Sequence, residues 1–539
     1  MIETLDTRRA LAPALCLALA AWATPGMAQA ADRDEFYWLG EINKASLVIN
    51  SEQGLIDKAR APELARGIEQ VLADGNKEGA KRPSTVISFE PLLIKAAGEE
   101  ITLLHAGRSS QDMHATYRAA IMRDELLGLA QQLHKTSTTL VGLAKKHAGT
   151  IVPNYTNGVA AQPNSYGHYL LGHAAGLQRD AQRIREAYVR VDRSAMGTTV
   201  LNGTSWPLDR ERMARYLGFA TTVDNAYDAS QISSMEHPVE AGSIVTSVAL
   251  HAGHFVEDLL TQYAQPRPWI LLQEGGDNTY VSSAMPQKRN PGLLNRTRSS
   301  ASTAMTLAMG PAIQAHNITP GMSDPKSAKA NRAVVGSAVT ALKNWDAVLK
   351  ALVVSPERAL EELNSDWTAS QELADVLMRK YGLPFRVGHH FASEVVSYAK
   401  QKDIKPLDFP YAEAQRIYAQ AVHGADYPQA LPMDEAEFKA TLDPVAIIGH
   451  RATAGGPQPA EMTRMIAAAQ EDLAAQKKWI DERRKAIADA LAQLDKDFEA
   501  LKTAPSPTPA PAPAPVPAPA SESAPAPAPA AETPAPAGK

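Results

Sequence analysis

Between residues 31 and 503 the chain repeats one pattern, apolar residues spaced alternately four and three apart in a polar background. Leu170, Ala174, Leu177, Ala181, Ile184, Tyr188 and Val191 form one such stripe, and Ile244, Val248, Ala252, Phe255 and Leu259 a second. Val335, Val339, Leu342, Leu349 and Leu352 make a third. This period puts side chains on one face of an α-helix, and alanines within the stripes suit close helix–helix approach. Ile466, Leu473, Ile480, Ile487 and Leu494 recur every seven residues among charges, which predicts a long, one-sided final helix. Strand signals are few, "TIVPNY" (150–155) being one candidate. The expected class is all-α, with long helices bundled against one another.

The two ends of the chain read differently. Arg8 and Arg9 precede an apolar run over 10–23, and Ala28-Gln29-Ala30 supplies a small-x-small cleavage site. This is the pattern of an export signal over 1–30, and the run is shorter than the roughly 20 residues a membrane-spanning helix needs. The mature chain is thus expected to be periplasmic or secreted from a bacterium, without a membrane span. Its only cysteine, Cys16, falls inside the leader, so no disulfide supports the fold. From 504 to 539 the text is almost entirely Pro, Ala, Ser and Thr, holding 13 of the chain's 38 prolines. That composition cannot bury a core and predicts a disordered tail. Between the ends, the reading divides the chain into an N-terminal helical domain (31–148), a central helical bundle (149–380) and a C-terminal helical domain (381–503). The near balance of 54 basic and 59 acidic residues, net −5, argues against nucleic acid as the partner.

Polar residues collect where the helical text breaks, in "LLHAGRSSQD" (103–112), "NYTNGVAAQPNSYGH" (154–168) and "SSAMPQKRNP" (282–291). Singly each suits an interhelical loop; jointly they suit a site assembled at helix ends. The third resembles the signature loop of the fumarase/aspartase superfamily, GSSxMPxKxNP, with Val281 in place of the leading glycine. "LHAGRSSQD", "NYTNGVAAQP", "GTSWPLDRERMARYLGF", "YGLPFRVGHH" and "ATAGGPQPAEM" are similar to segments of its argininosuccinate lyase branch, in the same order. The resemblance spans roughly residues 35 to 495. It implies a three-domain, all-helical protomer, a homotetramer whose sites draw on loops of three subunits, and a β-elimination that releases fumarate without a cofactor.

By the same resemblance, Ser282 stands where the family has its catalytic base, with Lys288 and Asn290 as catalytic partners. Removing a proton beside a carboxylate builds negative charge, so the site needs a base and groups that stabilise an oxyanion. Backbone N–H groups of a tight loop and Lys288 could together stabilise the Ser282 oxyanion: a unit charge at about 4 Å is worth roughly 4 kcal/mol at an effective dielectric of 20. Ser109, Gln111 and Thr156 match positions that hold the succinyl part, and Ser283 and Met285 lie beside Ser282 as substrate-contacting residues. Asn157 and Asn295 replace the family's His–Glu pair with two amides able to hydrogen-bond each other; either another group donates the proton and Asn157 positions substrate, or the scaffold binds without turnover. Neither His251 with His254 nor His389 with His390 has a third ligand at suitable spacing, so no metal is expected. "SQISSMEHPVEA" (230–241) and "HNITPGMSDPKSAK" (316–329) do not match the segments with which argininosuccinate lyases hold arginine. The "SSQD" form resembles lyases of N-substituted aspartates, such as the ethylenediamine-disuccinate type. The expected reaction is therefore C–N cleavage of such a substrate to fumarate and an amine. The alternatives are a non-catalytic binding or structural homologue and a superfamily cycloisomerase.

Overall fold

The computed structural model describes residues 33–503; the export signal and the Pro/Ala tail expected from the sequence lie outside the described residues. Sixteen α-helices are described: α1 (Glu35–Glu52), α2 (Ala61–Gly75), α3 (Val86–Ala97), α4 (Ser110–Lys146), α5 (Tyr166–Val191), α6 (Arg210–Tyr216), α7 (Ser233–Tyr263) and α8 (Gly292–Ala315) come first. They are followed by α9 (Ala328–Ala351), α10 (Pro356–Ser365), α11 (Ser370–Tyr381), α12 (Phe385–Lys402), α13 (Tyr411–Ala421), α14 (Glu435–Ala440), α15 (Pro444–His450) and α16 (Pro459–Thr503). Four two-stranded pairings tie their ends: β1 (Ile151–Thr156) with β2 (Val159–Ser165), β3 (Arg193–Ser194) with β4 (Thr221–Thr222), β5 (Ile270–Leu272) with β8 (Leu352–Val354), and β6 (Tyr280–Val281) with β7 (Arg289–Asn290). The class is all-α, as the periodicity requires.

Helices α4, α5, α7, α8 and α9 pack into one bundle. Every residue of the 170–191 stripe is buried in it, and so is every residue of the 244–259 stripe. In α8 the buried positions Leu293, Thr297, Ala301, Ala304, Ala308 and Pro311 keep the same spacing. Helices α7 and α8 approach so closely that a Cβ on Gly242 would lie 2.5 Å from the Ala308 carbonyl oxygen. Lys326, which follows α8, donates to the carbonyl of Ser230, which precedes α7, and the two contacts together set the helices antiparallel, early α7 against late α8.

Two main hydrophobic cores form among the described residues, beside a small cluster of Ala115, Ala195, Val223 and Ala229. The second, from Trp367 to Leu442, belongs to α11–α14 and the segments joining them. The first takes in α1, α2, the bundle and also Met462, Ile480, Ile487, Leu494 and Phe498 of α16. Residues 459–503, placed by the sequence reading with the C-terminal domain, therefore pack instead on α1, α2, α4, α5 and α6. The apolar face of α16 needs a partner over its 45 residues, and the small second core cannot supply one. Among the described residues no helix is long and apolar enough to cross a membrane.

Candidate active site

The signature segment is a hairpin loop rather than a plain interhelical turn, because β6 and β7 pair on either side of it. Ser282 N–H donates to the Lys288 carbonyl (3.3 Å) and Lys288 N–H to that of Met285 (3.0 Å). The Ser282 hydroxyl oxygen accepts from the backbone N–H groups of Met285 (3.2 Å) and Ala284 (3.4 Å). Two amide dipoles aimed at one oxygen favour its ionised form, since hydrogen bonds to a charged group lower its proton affinity. Ser282 is half-buried, whereas Ser283, Met285 and Lys288 are exposed. No hydrogen bond runs from Lys288 Nζ to Ser282 among the described residues, so it is the backbone of Lys288 that meets Ser282. Of the two stabilising groups expected for Ser282, loop amides and an ammonium, the amides reach its hydroxyl within one chain. Asn290 is half-buried and its Nδ2 reaches the Tyr280 carbonyl at 3.4 Å.

Ser109 is the N-cap of α4. Its hydroxyl accepts from Gln111 N–H (3.2 Å), and its own N–H donates to Asp112 Oδ1 (2.8 Å). This reciprocal pair is a capping box, and the text S-x-x-D announces it. Asp112 is fully buried, and its other oxygen accepts from Gly197 and Thr199 N–H, both at 3.1 Å. It therefore holds the 197–199 turn against the start of α4, an anchoring role the sequence reading passed over. Gln111 is exposed beside this cap.

Thr156 and Asn157 sit at the tip of the β1–β2 hairpin, where Thr156 pairs with Val159 across the two-residue turn Asn157-Gly158. Both turn residues have positive φ, 54° and 75°, as the tight hairpin turn matching strand twist demands. Asparagine tolerates that region better than most side chains, so Asn157 has a backbone reason to be there. The dipeptide Asn-Gly is a strong hairpin signal, but the sequence reading took 154–168 for a loop. Below the tip, Tyr155 donates to Glu362 (2.5 Å) and accepts from Gln262 Nε2 (2.9 Å) and Trp269 Nε1 (3.0 Å). Burial, then the Glu362 contact, pushes the Tyr155 phenol well above its ordinary range, so it stays protonated.

Through Gln262 this hairpin sits at the C-terminal end of α7. Because α7 and α8 run antiparallel, the start of α8 and the Ser282 loop before it lie at that same end. Ser109 starts α4, whereas Thr156 follows the end of that helix; its 37 residues at 1.5 Å per residue span about 55 Å. Hence the structure places Thr156 and Ser282 toward one end of the bundle and Ser109 and Gln111 at the other. Asn295, exposed in the first turn of α8, makes no hydrogen bond to Asn157 among the described residues. The two amides thus do not hydrogen-bond each other within one chain, and the positive φ of Asn157 meets a backbone need of the turn. Among the described residues no three His, Cys, Asp or Glu side chains group so as to hold a metal, and His251 Nδ1 instead lies 2.8 Å from Asp180 Oδ2.

Comparison with known proteins agrees with this architecture. A family model described as lyase matches residues 64–306, and one described as argininosuccinate lyase C-terminal matches 367–448. The argininosuccinate lyase of Methanoculleus marisnigri is 30% identical over 467 residues, 84% of this chain and 90% of its own. That of Methanosarcina acetivorans is 27% identical over 470 residues, 85% of this chain and 90% of its own. Among solved structures, EDDS lyase in complex with formate superposes with a TM-score of 0.77 at 24% identity, over 87% of this chain and 92% of that one. This last likeness is one of fold. With the relatives matching along most of their length, and the three polar segments on the helix ends and hairpins described above, the chain belongs to the argininosuccinate lyase-like branch of the fumarase/aspartase superfamily.

Proposed function

We propose that this lyase cleaves the C–N bond of an N-substituted aspartate by β-elimination, releasing fumarate and an amine. The observation that carries the reading is the Ser282 hydroxyl oxygen held by two backbone N–H groups in a hairpin loop. As an alkoxide it takes a proton from the carbon beside the substrate carboxylate. The electron pair left behind forms the new C=C bond as the C–N bond breaks, and the nitrogen, already protonated in the ammonium form of the substrate, leaves with the C–N pair as a neutral amine. Lys288 and Asn290 face the developing carboxylate charge, with Ser283 and Met285 against substrate. Ser109, Gln111 and Thr156 hold the succinyl part, and Asn157 and Asn295 position it. Because α4 separates Ser109 from Thr156 by about 55 Å, the site is completed between copies, in a homotetramer of this chain. The exposed Leu307, Met309 and Ile313 of α8 give such an assembly apolar surface to cover. We place the enzyme in the periplasm or outside the cell.

The test is a panel of N-substituted aspartates, purine-type succinates and C–O succinates, followed by fumarate absorbance. N-substituted aspartates should react, and Ser282→Ala should lower turnover by about 10³-fold, within the range of general-base catalysis. A Ser282→Ala protein as active as the parent would remove the base assignment. The replacement of the family's His–Glu pair by Asn157 and Asn295 favours a second reading, a homologue that binds without turnover. In that case no succinyl compound in the panel yields fumarate. A cycloisomerase would convert its substrate without freeing an amine.

A further inference from the structure

Beneath the β1–β2 turn, between the start of α5 and the last turns of α7, lies a cavity of about 230 Å³. Its floor is aromatic. The Tyr166 ring stacks on Tyr169 with centroids 5.7 Å apart and meets Trp269 edge-on at 5.5 Å. Asp258 is its single charged lining residue, and no Lys, Arg or His lines it. That carboxylate is exposed at the rim and accepts one hydrogen bond, from Tyr169 Oη at 2.8 Å. Its Oδ1 has no hydrogen-bond partner among the described residues.

The polar atoms of the wall are biased toward acceptors. Tyr155 has one proton, and it goes to Glu362. The groups facing its lone pairs must therefore be donors, which fixes the Gln262 amide with its NH₂ toward Tyr155. Gln262 Oε1 is left buried with no partner, and so is the Tyr166 hydroxyl, on residues only 2% exposed. Buried polar groups without partners are uncommon and ask for an explanation.

We propose that this cavity is a binding site for a small organic cation, a protonated aliphatic amine, held by Asp258 and the Tyr166, Tyr169 and Trp269 rings. An ammonium group brings three donors and no acceptor, and the free Oδ1 of Asp258 is the acceptor the cavity offers it; Gln262 Oε1 and the Tyr166 hydroxyl lie behind the cavity surface. Its charge is attracted to aromatic faces, while its alkyl part fills the space beside Ile270 and Leu259. A neutral or anionic ligand of the same shape would leave Asp258 uncompensated. Since Asn157 and Gly158 form the rim, a bound amine also buttresses the turn that carries Thr156. No residue of the 282–291 loop lines it among the described residues, and the binding proposed does not depend on which substrate that loop acts on.

The test is direct binding to the full-length protein, by calorimetry and by the fluorescence of Trp269, with butylammonium chloride, 1-butanol, and potassium chloride at matched ionic strength. Butylammonium should bind once per chain and perturb the fluorescence, whereas butanol and potassium should do neither. Asp258→Asn should weaken butylammonium by about ten-fold or more, the scale of one charge-assisted contact, while Asp258→Glu retains it. Tyr166→Phe, which keeps the ring and removes a hydroxyl buried behind the cavity surface, should leave it unchanged. Equal binding of butanol, no binding of butylammonium, or indifference to Asp258→Asn in a protein with unchanged melting would each overturn the proposal. Turnover is not read in this experiment, so its outcome is independent of whether the elimination reading holds.

Discussion

The distance along α4 can be turned into a number. Gln111, beside the α4 N-cap, and Ser282, toward the far end of the bundle, lie in one chain near opposite ends of a helix about 55 Å long. A succinyl group cannot bridge that gap, so a site using both residues takes them from different chains. Gln111→Ala and Ser282→Ala should each be close to inactive alone. Co-expressed in equal amounts and randomly assembled, each site has an intact Gln111 half the time and an intact Ser282 half the time. About one quarter of the sites are then fully native, so the mixed oligomer should regain about a quarter of the parent's fumarate release. The assay compares mixed oligomers with each variant alone at equal protein concentration, with the oligomer size checked by light scattering. Activity no higher than the average of the two variants would refute the shared-site geometry. A monomer of parental activity would refute it as well.

Two further predictions follow from local geometry. At Asn157, with φ of 54°, replacement by Ala should cost about 1–2 kcal/mol because of the left-handed backbone, whereas Gly should be neutral in thermal melts; an equal loss for both would mean that the side chain itself is needed. His114 accepts a hydrogen bond from Val86 N–H (3.2 Å), and burial pushes its pKa from the ordinary 6.5 down to about 4. The unfolded chain therefore binds more protons between those values, so the stability His114 contributes is complete above pH 6.5 and lost as pH falls toward 4. The slope is at most about 1.4 kcal/mol per pH unit, and His114→Gln should flatten the denaturation profile over that window by up to this amount.

The long stripes were readable because burial alone selects them. Leu170 through Val191 face a single neighbour set along α5, and no loop conformation enters the pattern. The signature loop, and the need for its backbone N–H groups at Ser282, could be read from the sequence, but which amides meet that hydroxyl could not. That the Met285 and Ala284 amides, rather than the Lys288 side chain, meet Ser282 depends on a hairpin closed by only two pairs of residues. Two signals were present in the text and carried less weight than the family resemblance: Ser109-x-x-Asp112 as a helix cap and Asn157-Gly158 as a tight turn. Each concerns backbone needs met within a few residues, which a search for substrate ligands passes over. The placement of α16 was not legible, because a one-sided helix states that it needs a partner without saying which one. Nor was the gap between Ser109 and Thr156 drawn from the sequence, although the length of α4 was available there.

The return of α16 to the start of the chain bears on how the protein is made. Lys44 of α1 pairs with Asp495 at 2.8 Å, Glu69 of α2 with Lys502 at 2.7 Å, and Tyr216 of α6 donates to Asp497 at 2.6 Å. The Lys44–Asp495 contact joins residues 451 positions apart, so closing it waits until nearly the whole polypeptide has left the ribosome. During synthesis α1 and α2 carry an uncovered apolar face, and contacts of such range are slow to form and prone to aggregate meanwhile. A nascent chain cut short before α16 should therefore be a client for chaperones and proteases rather than a smaller version of the folded protomer.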